Sequence, residues 1–280
     1  MPKFTPLINL LLLLSLLAMA GPASADLMLY PTRIVMEKTQ RAAQVELINQ
    51  GKTPETYRIS FVNRRMGENG EFIAIDSPAP GELFADAMLR FSPRQVTIPP
   101  GGSQTVRIQL RRPAELASGE YRSHLQFERV AETNSGNSVE NAATDAGKEV
   151  GVVLNALVGA SIPVIVRHGE VQVDVALSDL NLLSHAEGAQ PVLGFALNRS
   201  GNRSVYGDFQ VFYAAKGKAP IEVAKAGGVA VYTPNSRRLA RMPLNLPEGA
   251  KLEQGSLQVV FRDRPEFGGK TLAEAKLALP

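Results

Sequence analysis

Apolar and polar positions alternate along most of this chain, the pattern of β-strands buried on one face. Ala42 to Ile48 reads Ala-Ala-Gln-Val-Glu-Leu-Ile before a turn at Asn49-Gln50-Gly51-Lys52. Tyr57 to Val62 puts Tyr57, Ile59 and Phe61 on one face. Arg90 to Ile98 is expected as one strand carrying Phe91, Val96 and Ile98, and Pro99-Pro100-Gly101-Gly102 stops it. Thr105 to Leu110 aligns Val106, Ile108 and Leu110, and Tyr121 to Val130 sets Leu125 and Phe127 among polar neighbours.

The longest alternation runs from Gly151 to Arg167. Val152, Leu154, Ala156, Val158, Ala160, Ile162, Val164 and Val166 occupy every even position, while the odd set is mixed. This exceeds the usual strand of about 5–6 residues. Pro163 interrupts the odd set and lacks an N–H for a sheet ladder, which suits an edge or a strand end. The preceding residues, 131 to 149, are small and polar. They have too little apolar surface to bury, so a mobile loop is expected there.

After His168-Gly169, the expected domain boundary, a second series of strands follows. The expected segments are Val171–Leu180, Pro191–Asn198, Val205–Tyr213, Ile221–Val223, Val229–Tyr232, Arg238–Leu244, Leu257–Arg262 and Lys276–Leu279. Short strands at this spacing in each half predict an all-β chain of two immunoglobulin-like β-sandwich domains. The expected domains are 26–168, which includes the loop and the long strand 151–166, and 169–280.

Composition narrows the chemistry. The 280 residues contain no cysteine, no tryptophan and three histidines. There is no thiol chemistry and no disulfide, and the separated His124, His168 and His185 form no HExxH pair, so no metal site is expected. GxSxG, P-loop and strand–helix GxGxxG motifs are absent too, and neither an enzyme nor a cofactor is expected. The N-terminus carries Lys3, an apolar run from Leu7 to Ala20 and Ala23-Ser24-Ala25. That is the pattern of a cleaved export signal over residues 1–25, and it is shorter than a membrane span. Without Lys3 the balance is 29 basic against 27 acidic residues, or +2. Near-neutral and evenly spread charge gives no nucleic-acid footprint, and no later segment is apolar enough for membrane insertion.

Four blocks together resemble a known family. They are Leu29-Tyr-Pro-Thr-Arg-Ile-Val35, Val45-Glu-Leu-Ile-Asn-Gln-Gly51, Phe91-Ser-Pro-Arg-Gln-Val-Thr-Ile-Pro-Pro-Gly-Gly-Ser-Gln-Thr-Val-Arg107 and Gly119-Glu-Tyr-Arg-Ser-His-Leu125. They look like the N-terminal domain of the periplasmic pilus-assembly chaperones, over residues 29 to 168. The resemblance implies an L-shaped pair of immunoglobulin-like domains in the periplasm. It implies pilin or fimbrial subunits and an outer-membrane usher as partners. The implied function is capping of incomplete subunits by donor-strand complementation, a form of β-strand addition that needs no ATP.

By the same resemblance, Val152, Leu154, Ala156, Val158 and Ala160 form the donor row, while Ile162 and Val164 pack at home. Arg33 corresponds to the arginine that anchors the subunit's terminal carboxylate. The family's companion lysine falls on Pro163 and is missing, with Arg122 and Arg167 as the substitutes left open. Arg167 also matches an arginine that braces the two domains. An exposed donor strand is itself an aggregation-prone edge, so a self-capping dimer is a further expectation. The competing reading is an exported immunoglobulin-like module that binds cell-envelope glycan or protein. Tyr206, Phe209, Phe212 and Tyr213 are its nearest approach to an aromatic platform.

Overall fold

The computed structural model describes residues 27–37, 39–130, 159–183, 190–247, 252 and 254–279. The leader 1–25 and the polar loop 131–149 lie outside them, as do Val152, Leu154, Ala156 and Val158. Within the described residues the chain is built of strands joined by turns and two single turns of 3-10 helix, with no α-helix.

The first eleven strands are β1 (Leu27–Tyr30), β2 (Ile34–Met36), β3 (Ala42–Asn49), β4 (Glu55–Val62), β5 (Arg64–Met66), β6 (Phe72–Ala74), β7 (Leu89–Ser92), β8 (Gln95–Ile98), β9 (Ser103–Leu110), β10 (Gly119–Arg129) and β11 (Gly159–His168). One sheet has the order β1-β3-β9-β7 and the facing sheet β2-β11-β10-β4-β8, while β5 and β6 form a separate hairpin. The alternation places Val45 and Leu47 of β3, Val106 and Ile108 of β9, and Leu125 and Phe127 of β10 in the shared core, all fully buried. Packing an apolar row from each sheet at this density is the main source of stability in a sandwich without disulfides.

Two local features depart from the expected strands. The segment Arg90–Ile98 is two strands, β7 and β8, in opposite sheets. Pro93, cis after Ser92, has no N–H to continue a ladder. The chain crosses there, and the Arg94 carbonyl accepts from the Ile59 amide at 2.8 Å. The hairpin β5–β6 escapes a period-two reading because each of its strands has three residues.

The second sandwich comprises β12 (Val173–Leu183), β13 (Val192–Gly201), β14 (Val205–Ala215), β15 (Ile221–Val231), β16 (Arg237–Pro243), β17 (Gly255–Asp263) and β18 (Thr271–Leu279). The order is β12-β13-β16 in one sheet and β15-β14-β17-β18 in the other. Phe209 centres the core, 4.9 Å from Phe195 and 4.7 Å from Phe261 between ring centroids. Ile221–Val223 and Val229–Tyr232, expected as separate strands, fall on one irregular β15 that ends at Val231, one residue short of Tyr232. Gly228 takes a positive φ of 70° within it, and its amide donates to Asp208 Oδ1 at 2.8 Å. β12 runs on to Leu183 across a register shift that includes Asp179 at φ 57°.

Buried Ser123 of β10 ties the core to a crossing loop. Its hydroxyl oxygen accepts from the Ala85 and Asp86 amides, both at 3.0 Å, and donates to Asn63 Oδ1 at 2.6 Å. Ser123→Ala strands two backbone donors, one of them buried. The expected loss is about 1–3 kcal/mol of unfolding free energy, read by denaturant titration, with Ser103→Ala at the exposed start of β9 as the near-neutral control.

Candidate functional site

β10 and β11 bury both of their faces. Tyr121, Leu125 and Phe127 of β10, with Ile162, Val164 and Val166 of β11, point into the first core. The opposite face carries Glu120, Arg122, His124 and Gln126 of β10, and Pro163, Ile165 and Arg167 of β11. The register pairs His124 with Pro163 and Arg122 with Ile165. This second face is where the two sandwiches meet. Met66, Ile165, Ala230 and Tyr232 form a small buried cluster there, with Val35 and Tyr206 packed against it.

Polar contacts fix the junction. Arg167 Nε donates to Glu120 Oε2 at 2.9 Å, and its Nη1 pairs with Glu37. The other Glu120 oxygen accepts from the Ser204 amide of the second sandwich at 3.2 Å. Arg167 and Glu120 are both nearly inaccessible to solvent, so losing either one would leave a buried unpaired charge, a strongly destabilising state. The β5–β6 hairpin adds a second tie. Asn235 Nδ2 donates to the Met66 carbonyl and the Leu239 amide donates to the Glu68 carbonyl, each at 2.7 Å.

Arg33 lies half-buried in the turn between β1 and β2. Its Nη1 donates to the Tyr232 hydroxyl at 2.8 Å and its Nη2 reaches Ser204 Oγ at 3.5 Å. Its Cζ sits 4.6 Å from the Tyr206 ring centroid and 5.2 Å from that of Tyr232. Among the described residues Arg33 has no carboxylate partner. It lines a cleft of about 600 Å³ together with Val35, Glu37, Arg167, Arg203 and Tyr206.

Arg122 stands 4.2 Å from the Tyr232 centroid. Its Nη2 donates to the Arg64 carbonyl at 3.1 Å, while Nη1 is buried without a partner. Burial lowers its pKa, Tyr232 and Glu120 oppose that shift, and Arg33 adds to it. Arg167 is paired with Glu37 and Glu120. Arg122 makes no ion pair among the described residues; Glu120 and Glu82 act on it through space, and so does the like charge of Arg33.

The edge of β11 is the other half of the site. β2 runs parallel to it and covers only Val164, Ile165 and Val166. From Gly159 to Pro163, β11 pairs with β10 on one side and has no neighbour on the other among the described residues. Ala160, opposite Phe127, is the one described member of the expected donor row and is half-buried. The sequence offered Tyr206 only as part of an aromatic platform and singled out neither Tyr232 nor Glu120, because the contacts joining these residues to Arg33 and Arg167 span more than 40 positions.

A family model for an Fn3-like domain matches residues 34–143. No curated protein sequence matches the chain. Solved structures that resemble it include the YadV chaperone, at 14% identity and TM-score 0.46 over 91% of this chain and 100% of that one. Another is the CupB2 chaperone of Pseudomonas aeruginosa, at 13% identity and TM-score 0.43 over 90% and 100%. A third is a complex of the Salmonella enterica SafA pilin with the SafB chaperone, at 14% identity and TM-score 0.42 over 92% and 99%.

His124 gives the junction a pH signature. It is 2% exposed, its ring nitrogens have no partner, and it packs on Phe72 at 5.0 Å. Burial, then Arg122 and Arg64, lowers its pKa from 6.5 to about 3. The unfolded chain therefore takes up a proton that the folded chain refuses. The stability this residue supports is complete above pH 6.5 and declines as pH falls toward 3. His124→Leu is expected to flatten unfolding free energy against pH across that window, by at most about 1.4 kcal/mol per pH unit. Parallel curves for wild type and variant would contradict the assignment.

Proposed function

We propose that this chain is a periplasmic chaperone that caps an incomplete β-sandwich subunit of a pilus or surface fibre and passes it to an outer-membrane usher. The observation that carries the reading is the open edge of β11 leading to Arg33. A subunit short of one strand exposes an apolar groove and unpaired backbone groups. A strand lent from outside satisfies both, with ladder hydrogen bonds for the backbone and alternating side chains for the groove. The lent segment is 151–160, with Val152, Leu154, Ala156, Val158 and Ala160 as the groove-filling row. Ile162, Val164 and Val166, the same row continued, belong to the home core.

The charges select a polarity. Ile34 of β2 lies level with Val164, which puts Arg33 at the level of Pro163. A partner strand laid on the open edge in line with β2, and in its parallel sense, runs toward Arg33 and brings its terminal carboxylate there. The reverse polarity would deliver an ammonium group to a guanidinium. Arg33 supplies the fork for a carboxylate, and Arg122 supplies the second positive charge that Pro163 lacks. Arg167 braces the two domains through Glu120 and Ser204.

The glycan-binding alternative loses its platform, because Phe209 and Tyr213 are buried in the second sandwich.

The test uses a short acetylated peptide of alternating Val and Thr, made with a free C-terminal carboxylate and as the amide. Wild type is expected to prefer the acid, and hydrogen exchange should show new protection at Gly159–Ile162. Arg33→Ala should weaken the acid about 10–100-fold, the worth of a charge-assisted hydrogen bond, and leave the amide unchanged. Leu154→Asp with Val158→Asp should abolish binding of both. Unchanged exchange at β11 in the presence of bound peptide would refute strand addition.

A further inference from the structure

The strand proposed to be lent belongs to the first sandwich, yet two tyrosines of the second flank the arginine proposed to receive the carboxylate. Tyr206 is the second residue of β14, and Tyr232 follows directly after β15. Tyr232 is 5% exposed and fixed by Met66, Ile165 and Ala230. Its hydroxyl accepts from Arg33, and its ring lies within cation–π reach of both Arg33 and Arg122. The Tyr206 ring faces Arg33 at 4.6 Å, and its hydroxyl accepts from Arg264 Nη1 at 3.1 Å. The rings and guanidinium groups alternate across the junction in the order Arg264, Tyr206, Arg33, Tyr232, Arg122.

We propose that Tyr206 and Tyr232 are positioning residues for the anion site, so that the second domain completes a carboxylate receptor whose charges come from the first. The proposal rests on the strand-lending reading above. An arginine in a turn between two short strands would ordinarily sample many rotamers, and a ligand that stills it loses affinity to that ordering. Tyr232 and Tyr206 remove the cost in advance. They also solve an electrostatic problem. Arg33 and Arg122 are like charges brought together at a half-dry junction, and Arg33 has no carboxylate of its own. The tyrosine rings present their negative faces to both cations, which holds the pair together without neutralising it. A carboxylate side chain in the same place would do the opposite, filling the site from within. The guanidinium retains N–H donors beyond the two bonds to Tyr232 and Ser204, and those remain for the incoming ligand.

The experiment uses the full chain and the same Val/Thr peptide in acid and amide forms, and it reads the ratio of their affinities. Tyr232→Leu and Tyr206→Leu are each expected to lower that ratio about 2–30-fold, the worth of a cation–π contact, the acid losing more affinity than the amide. Tyr232→Phe keeps the ring and loses the hydroxyl, so its ratio should fall between wild type and Tyr232→Leu. Thermal unfolding of each variant separates positioning from collapse, and Tyr232→Phe carries the test if Tyr232→Leu does not fold. Wild-type ratios in the folded tyrosine variants, with the ratio lost in Arg33→Ala, would overturn the positioning role and leave the carboxylate reading standing. A wild-type ratio of one would overturn both.

Discussion

Two strands, β10 and β11, must serve two interiors at once, and the rest of the molecule is arranged around that demand. Side chains on a strand alternate strictly, so each residue of these strands faces either the first core or the domain junction. Tyr121, Leu125 and Phe127 meet Ile162, Val164 and Val166 on the core side. Glu120, Arg122, His124, Ile165 and Arg167 are turned the other way and are buried by the second sandwich and the β5–β6 hairpin. A strand with one wet face could have carried these charges at little cost. Here they have to be paired, as Arg167 and Glu120 are, or set against aromatic rings, as Arg122 is.

The junction accordingly holds both ion-paired cations and cations that, among the described residues, have no ion pair. Arg167 is met by two carboxylates, and one of these also takes an amide from the second sandwich. That arrangement spends its charges internally and has none left for a ligand. Arg33 and Arg122 are treated differently: their neighbours are tyrosines, which stabilise a cation without cancelling it. The same few strands thus hold a closed ion network and an open one side by side. The difference lies in whether a carboxylate or a phenol stands opposite each guanidinium.

Much of the fold was legible in the sequence because period-two alternation reports burial on one face, and β3, β4, β9 and β14 follow it closely. It fails where that premise fails. Glu120, Arg122 and His124 read as the polar, solvent-facing half of β10, yet they are buried, since nothing local announces a second interior. The β7–β8 break hid behind a continuous apolar count, although Pro93 marks it once the missing donor is considered. Of the site, Arg33 and Arg167 could be singled out from their sequence context. Tyr206 and Tyr232 could not, because a strand tyrosine beside apolar neighbours looks like any core aromatic until the partner domain is in place.

The two-sided burial of β11 bears on how this chain can vary in length. Inserting or deleting one residue between Gly159 and Arg167 would swing every side chain on one side of the change to the opposite face. Arg167 would be driven onto the core face beside Tyr121, or Val164 would be pushed into the charged junction. A two-residue change would restore the faces but slide the strand past Glu120 and shift the landing point of any partner against Arg33. Among descendants of this sequence the distance from Gly159 to the domain junction should therefore stay constant, a ruler that both a home core and an incoming strand must read.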